Sequence, residues 1–176
     1  MFDSHCHLTD GRFDEDRAAV LGAAFQAGVT RIVTVASNLE DARAAAKLAR
    51  SHAELAGSDS ELAGSHAALW STAGIHPHEV SEAEDVDLAA VRELAATDPR
   101  VVAIGETGLD YFYDHSPREL QRRWFEAQLE VAAELDLPTV IHTREAEDDT
   151  IAVLRNAPES VLKVLHCFTG NMKLLE

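Results

Sequence analysis

The sequence predicts an α/β fold, a parallel sheet covered by helices and built from a repeated strand–helix unit. Two observations carry this. Short β-branched runs alternate with amphipathic or alanine-rich segments along the whole chain. A histidine, asparagine or glutamate follows each run at a regular interval. With His7, Asn38, His76, Glu106, His142 and His166 as markers, the intervals are 31, 38, 30, 36 and 24 residues. A βα unit of roughly 30 or more residues fits that spacing.

The elements follow in order. Residues 1–6 are a strand by position. Residues 14–27 are a helix with Val20, Leu21, Ala24 and Phe25 on one face and Gly28 as its C-terminal stop. The run at 31–36 is the second strand. Residues 40–55 are rich in alanine, arginine and lysine, good helix formers. Residues 51–70 read SHAELAG, SDSELAG, SHAALW, a seven-residue unit in nearly three copies. That repeat is too short for a coiled-coil seam and reads as an insertion lengthening a helix or forming a surface loop. His52 and His66 belong to it and are set aside as ligands.

Strands at 69–73 and 101–104 bracket an amphipathic helix at 86–96. Ser116-Pro117-Arg118-Glu119 matches a capping box with proline at the first helical position. It opens a helix to about Leu135 whose buried stripe is Phe125, Gln128, Leu129 and Ala132. Strands at 139–141 and 161–165 enclose a helix at 145–156. Such short apolar runs suit strands covered on both faces.

Composition narrows the function. Acidic residues outnumber basic ones 31 to 15, a formal charge of −16. That excludes a broad basic face for nucleic acid and docking on an anionic membrane. Phosphate chemistry on this chain must therefore run through locally bound cations. Two cysteines exclude a disulfide scaffold. No apolar run approaches the ~18–20 residues of a membrane span. The N-terminus lacks a signal-peptide pattern, so a reducing, cytoplasmic setting is expected.

The polar markers stand at the carboxyl ends of their strands, which converge on one face in a barrel of parallel strands. His5 and His7 are two apart on the first strand, so both point to one side and Cys6 to the other. That makes a metal clamp, although His-x-His alone is common on surfaces. Asp3 shares their face and is placed to orient an imidazole. Glu106 follows the fourth run between Gly105 and Gly108, which permit a tight turn around it. A carboxylate there can bridge two cations. His142 and His166 close the fifth and sixth runs. Singly each reads as structural, but together with Glu106 they suit a two-cation hydrolytic site of imidazole and carboxylate ligands. Cys6 and Cys167 read as buried free thiols, His115 as a loop residue, and Asp110 and Tyr111 as packing or rim residues.

DSHCHL, GIHPHE, GETGLDY, IHTR and HCFTG occur in this order. The series resembles the TatD family of metal-dependent deoxyribonucleases from residue 1 to 170, the repeat apart. The resemblance implies a TIM-barrel-type fold that hydrolyses phosphodiester bonds with two divalent cations, among Zn, Mg, Mn, Fe and Ni. By the same resemblance His5 and His7 hold one cation, His142 and His166 the other, and Glu106 is the shared catalytic carboxylate. Arg144 would approach a substrate phosphate, or lie as a surface arginine on a first helical turn. His76 and His78 would line the site. The expected substrates are DNA ends, single strands or short phosphodiesters, because the acidic surface disfavours long duplexes.

The chain departs from the family pattern at its end. Nothing after HCFTG supplies the further aspartate that completes the first cation site. Eight units of about 32 residues need about 256, close to the ~250 of a TIM barrel, so about six of eight units are expected here, in a single incomplete domain over 1–176. Open first and sixth strands predict association with a second copy, a curved open sheet or recruitment of a partner. The alternative readings are a catalytically weak or inactive metal-binding fold and a related amidohydrolase-like hydrolase.

Overall fold

The computed structural model describes residues 1–58, 68–168, 170 and 174. Six strands form one parallel sheet in chain order: β1 (Phe2–Cys6), β2 (Arg31–Thr34), β3 (Ala68–Ala73), β4 (Val101–Asp110), β5 (Thr139–Arg144) and β6 (Lys163–Leu165). Helices α1 (Arg17–Gln26), α2 (Leu39–Ser58), α3 (Asp85–Thr97), α4 (Arg118–Leu135) and α5 (Glu147–Asn156) carry the chain back between strands. Each strand pairs in parallel with the next, the arrangement of a (β/α) barrel. The sheet curls. The rings of His5 on β1 and His166 just past β6 stack at 3.9 Å and 7°, although four strands lie between them.

Local chemistry explains the elements. In α2 the alanines at 42, 45, 46 and 49 recur at helical spacing and are fully buried, so the helix lies close on the sheet. Asn38 begins it: its Oδ1 accepts the N–H of Asp41 at 3.0 Å, an N-cap bond. Residues 51–58 of the repeat are its last turns, residues 68–70 open β3, and residues 59–67, with His66, lie outside the described residues. His52 packs against the Phe25 ring at 5.2 Å, far from any ligand role. Gly28, at φ +89°, follows the end of α1 and terminates it as expected.

The stripe of α4 is buried as anticipated, and Phe125 is completely enclosed, worth ~1.5–3 kcal/mol for a fully buried side chain. Two buried glutamines on this face fasten the sheet. Gln128 Oε1 accepts the Ile75 N–H at 2.7 Å, and its Nε2 donates to the Thr107 hydroxyl at 2.7 Å. Gln121 Oε1 accepts the Asp110 N–H at 2.8 Å. The ends of β3 and β4 are thereby held in register under the polar cluster.

Several expectations need correction. The capping box at Ser116 does not form: α4 begins after Pro117 with no side-chain cap. The Ser116 hydroxyl instead donates to the His78 carbonyl at 3.0 Å and accepts the Ser81 N–H at 3.2 Å. A capping box forms unannounced at Glu84 and Asp87 in front of α3. The first helix is shorter than 14–27: a 3-10 turn over Gly11–Phe13 passes into turns at residues 14–16, and α1 begins at Arg17. Strand β4 runs on through Gly105, Glu106 and Gly108 to Asp110, so those glycines make no turn around Glu106.

The two thiols also part company. Cys6 Sγ donates to the Val33 carbonyl at 3.5 Å and packs with the cluster of Leu8, Leu21, Ile32, Ala49 and Leu69. Burial, then the Asp3 charge, pushes its pKa up to about 12. Cys167 is exposed rather than buried. It lies past the end of β6 at φ +41°, where strand alternation no longer applies. A maleimide should therefore modify Cys167 in the native chain and reach Cys6 only after denaturation. Peptide mass spectrometry over a labelling time course checks this, and equal rates at the two thiols contradict it.

Candidate metal centre

A cleft of about 700 Å³ opens over the carboxyl ends of the strands. At its floor lies Glu106, only 2% exposed. Five imidazoles converge on its carboxylate. Oε2 is 3.3 Å from His5 Nε2 and 3.7 Å from His7 Nε2. Oε1 is 2.6 Å from His166 Nε2, 3.0 Å from His142 Nδ1 and 3.4 Å from His76 Nε2. Burial raises the Glu106 pKa, but hydrogen bonds from His142, His166, His5 and His76 outweigh it and hold the carboxyl ionised far below the ordinary range.

Position follows from the backbone. His5 and His7 share a side at the end of β1, their Nε2 atoms 3.3 Å apart. Glu106 reaches the same point because β4 passes unusually close to β5. A Cβ on Gly105 would meet the Val140 carbonyl oxygen at 2.6 Å, and one on Gly108 would collide with the His142 carbonyl oxygen. Both glycines also adopt positive φ, +143° and +132°, open chiefly to glycine. They permit strand contact, where the sequence suggested a turn.

Hydrogen bonds assign the imidazole protons. His7 Nδ1 lies 3.0 Å from the Val35 carbonyl. A carbonyl only accepts, so Nδ1 carries the hydrogen and Nε2 presents a lone pair toward His5 and Glu106. His76 Nδ1 accepts the His78 N–H at 3.1 Å, so its Nε2–H donates to Glu106. His142 has a carboxylate at each nitrogen: Glu106 at Nδ1, and Asp110 Oδ2 at 2.9 Å from Nε2. His5 Nδ1 and His166 Nδ1 are buried with no hydrogen-bond partner. The His7 Nε2 lone pair, turned toward the carboxylate, repels it unless a cation or proton lies between. This donor set therefore fits divalent metal.

Among the described residues, three groups could hold an ion: His5, His7 and Glu106; Glu106, His142 and His166; and His76, His78 and His142, with ligand atoms within 4.8 Å of one another in each. The first two are the sets anticipated from sequence. The sequence places Asp110 in packing or at the rim, and the structure makes it central. Its Oδ2 holds both His78 Nε2 and His142 Nε2 at 2.9 Å. The alternation Glu106, Gly108, Asp110 along one strand was the available signal. Asp3 does not orient an imidazole: its Oδ1 accepts the backbone N–H of His5 at 3.1 Å. Arg144 ends β5, not a helix. It lies in a neighbouring pocket with His142 and His166, its guanidinium 4.1 Å from the Phe112 ring centre.

The pKa directions set the pH dependence. Burial pulls His142 down, but Glu106 and Asp110 more than reverse this and raise it above 6.5. Burial lowers His76 below 6.5 despite Glu106. A proton on His142 thus competes with a cation. Cation affinity should rise with pH, and uptake near pH 6.5 should release protons. Calorimetric titration with Zn²⁺ in two buffers of different ionisation enthalpy measures that release. A pH-independent affinity from pH 6 to 8 contradicts it.

Comparison with known proteins decides the family. The model for TatD related DNase matches residues 2–176. The chain belongs to the TatD-related DNase family. Over its full length it is 39% identical to the 3'-5' ssDNA/RNA exonuclease TatD of Shigella flexneri and 38% identical to that of Escherichia coli. It spans 62% of the length of each. The crystal structure of YJJV, a TatD homologue from Escherichia coli, superposes with a TM-score of 0.83 at 30% identity, covering 99% of this chain and 62% of that one. A TatD family hydrolase from Entamoeba histolytica gives 0.85 at 24% identity, over 99% and 60%, which speaks to fold alone. Six parallel strands with their helices thus match part of a TatD-type barrel.

Proposed function

We propose that the chain is a metal-dependent phosphodiesterase acting on DNA, with Glu106 shared between two cations, His5 and His7 completing one site and His142 and His166 the other. The observation that carries this is the convergence of five imidazoles on one buried carboxylate. The cleft lining around it contains no lysine or arginine among the described residues. Two cations bound there supply charge stabilisation for the attacking and leaving oxygens and an activated water.

The chain's own residues do the rest. His7 is fixed with its lone pair inward by the Val35 carbonyl. Asp110 orients His142 and His78 together. His76 donates a hydrogen bond to Glu106 and favours its ionised form. Arg144 is the cationic side chain positioned to meet a phosphate beside His142. The suggested ions are Zn, Mg, Mn, Fe or Ni. The suggested substrates are DNA ends, single strands and short phosphodiesters, supported by the acidic charge and by the names of the relatives. The free cysteines suit a reducing cytoplasm. Self-association through β1 and β6, each with one ladder neighbour among the described residues, belongs to the same proposal.

The test is metal-loaded chain assayed on a short single-stranded oligonucleotide and on a long duplex, with and without chelator, beside anomalous scattering from Mn²⁺- or Zn²⁺-soaked crystals. Chelator-sensitive cleavage favouring the short strand, with density at both His/Glu groups, supports the reading. Absence of bound cation at Glu106, or cleavage indifferent to chelator, sinks it.

A further inference from the structure

We infer that Phe112 and Tyr113, in the turn that follows β4, form a shelf that stacks an unpaired nucleobase at the mouth of the cleft. This rests on the phosphodiesterase reading and identifies how that site would select single strands. The two rings are 49% and 50% exposed, packed edge to face, and Tyr113 lines the cleft. Aromatic rings half-exposed beside a polar cleft offer apolar surface on which a base can stack.

The shelf is tied to the histidine cluster by one carboxylate. Asp110 Oδ1 accepts the backbone N–H groups of Phe112 at 3.1 Å and Tyr113 at 2.8 Å. Its other oxygen holds His78 and His142. A base on the shelf is therefore registered against the same group that orients the cluster. The root of the turn is pinned as well. The Tyr111 hydroxyl donates to Asp149 at 2.6 Å, and Arg122 reaches the same oxygen at 2.7 Å. The Tyr113 ring stacks on the His115 imidazole, centres 5.7 Å apart and 2° from parallel, and Phe112 presents its ring beside it.

The rings stand at 86° to one another with centres 4.8 Å apart. The Arg144 guanidinium lies against both, 4.1 Å from the centre of Phe112 and 4.7 Å from that of Tyr113. Aromatic faces beside a guanidinium bind nucleotides by stacking and by charge at once, with little preference for base or sugar. A base inside a duplex is already stacked and paired, so it reaches such a shelf only after unpairing. The ligand class is therefore a single-stranded or frayed nucleic acid end.

The experiment compares binding of two fluorescent, cleavage-resistant phosphorothioate strands in Mn²⁺: an oligothymidylate and the same backbone with abasic positions. The chain should bind the base-bearing strand at least about 5-fold tighter, the lower end of a stacking contribution. F112A and Y113A should each reduce that ratio, and the double variant should abolish it. F112L, which keeps apolar bulk, should lower it, and F112W should restore it. Taking the ratio within each protein separates stacking from loss of folded material. An unmodified chain with no base preference, or a double variant that keeps it, overturns the shelf. Hydrolysis of base-free bis(p-nitrophenyl) phosphate tests the underlying reading separately: its failure overturns the phosphodiesterase, while turnover without base preference overturns the shelf alone.

Discussion

Glu106→Gln is expected to lower metal-dependent hydrolysis by roughly a thousandfold or more while leaving the chain folded. Both candidate cation sites draw on this carboxylate, Oε2 toward His5 and His7 and Oε1 toward His142 and His166. Glutamine keeps the shape and removes the negative charge. Each site then keeps two imidazoles and loses its anionic ligand. Cation stabilisation of a transition state is worth several kcal/mol, and each ~1.4 kcal/mol is a factor of ten. Metal content after dialysis, read by elemental analysis, should fall with the rate. His142 should lose part of the support that raises its pKa, since Glu106 contributes to it, and its proton competition should weaken. A variant that retains full metal content and a rate within about tenfold of the parent would remove Glu106 from the centre of the site.

Gly108→Ala should be the most damaging small substitution in the sheet. Gly108 pairs in register with His142 between β4 and β5, and its φ of +132° disfavours any side chain. An added methyl collides with the His142 carbonyl oxygen and comes within 3.0 Å of the His142 carbonyl carbon and nitrogen. Strain of ~1–3 kcal/mol from the backbone combines with ~1–3 kcal/mol from overpacking, roughly 3 kcal/mol in all. For a chain of this size that lowers the melting temperature by about 6–12 °C. Activity should fall further than stability, because the strand that yields carries His142. Thermal melting of parent and variant decides it. A melting temperature unchanged within about 2 °C would mean that the two strands can part at no cost.

Much of the molecule was legible in the chain because its signals are local. Alternation along β1 put His5 and His7 on one side and Cys6 on the other, and their contacts agree. The apolar stripe of α4 named its buried residues. The regular spacing of polar residues after apolar runs placed them at one end of a parallel sheet. Signals failed where a local preference met a stronger long-range one. Gly105 and Gly108 read as turn residues, yet both lie in β4, which resumes its pairing with β5 at Thr107 after an irregularity past Ile104. Ser116 read as a cap, yet its hydroxyl is taken by the His78 loop. Asp110 reads as a rim residue because the apolar run VVAI ends at Ile104, six residues before it.

Periodicity, order and charge are properties of the chain itself. They determined the βα repeat and the end of the sheet at which the polar markers gather, in a chain of charge −16. Which side chains meet was decided by the curl of the sheet. His5 and His166 stack face to face from opposite edges, and five histidines find one carboxylate, only because the twist of successive strands bends those edges together. Asp110 likewise gains its place between His78, His142 and the aromatic turn from contacts that span β3, β4 and β5. Distances of this kind arise from packing over the whole sheet, and no window of sequence contains them.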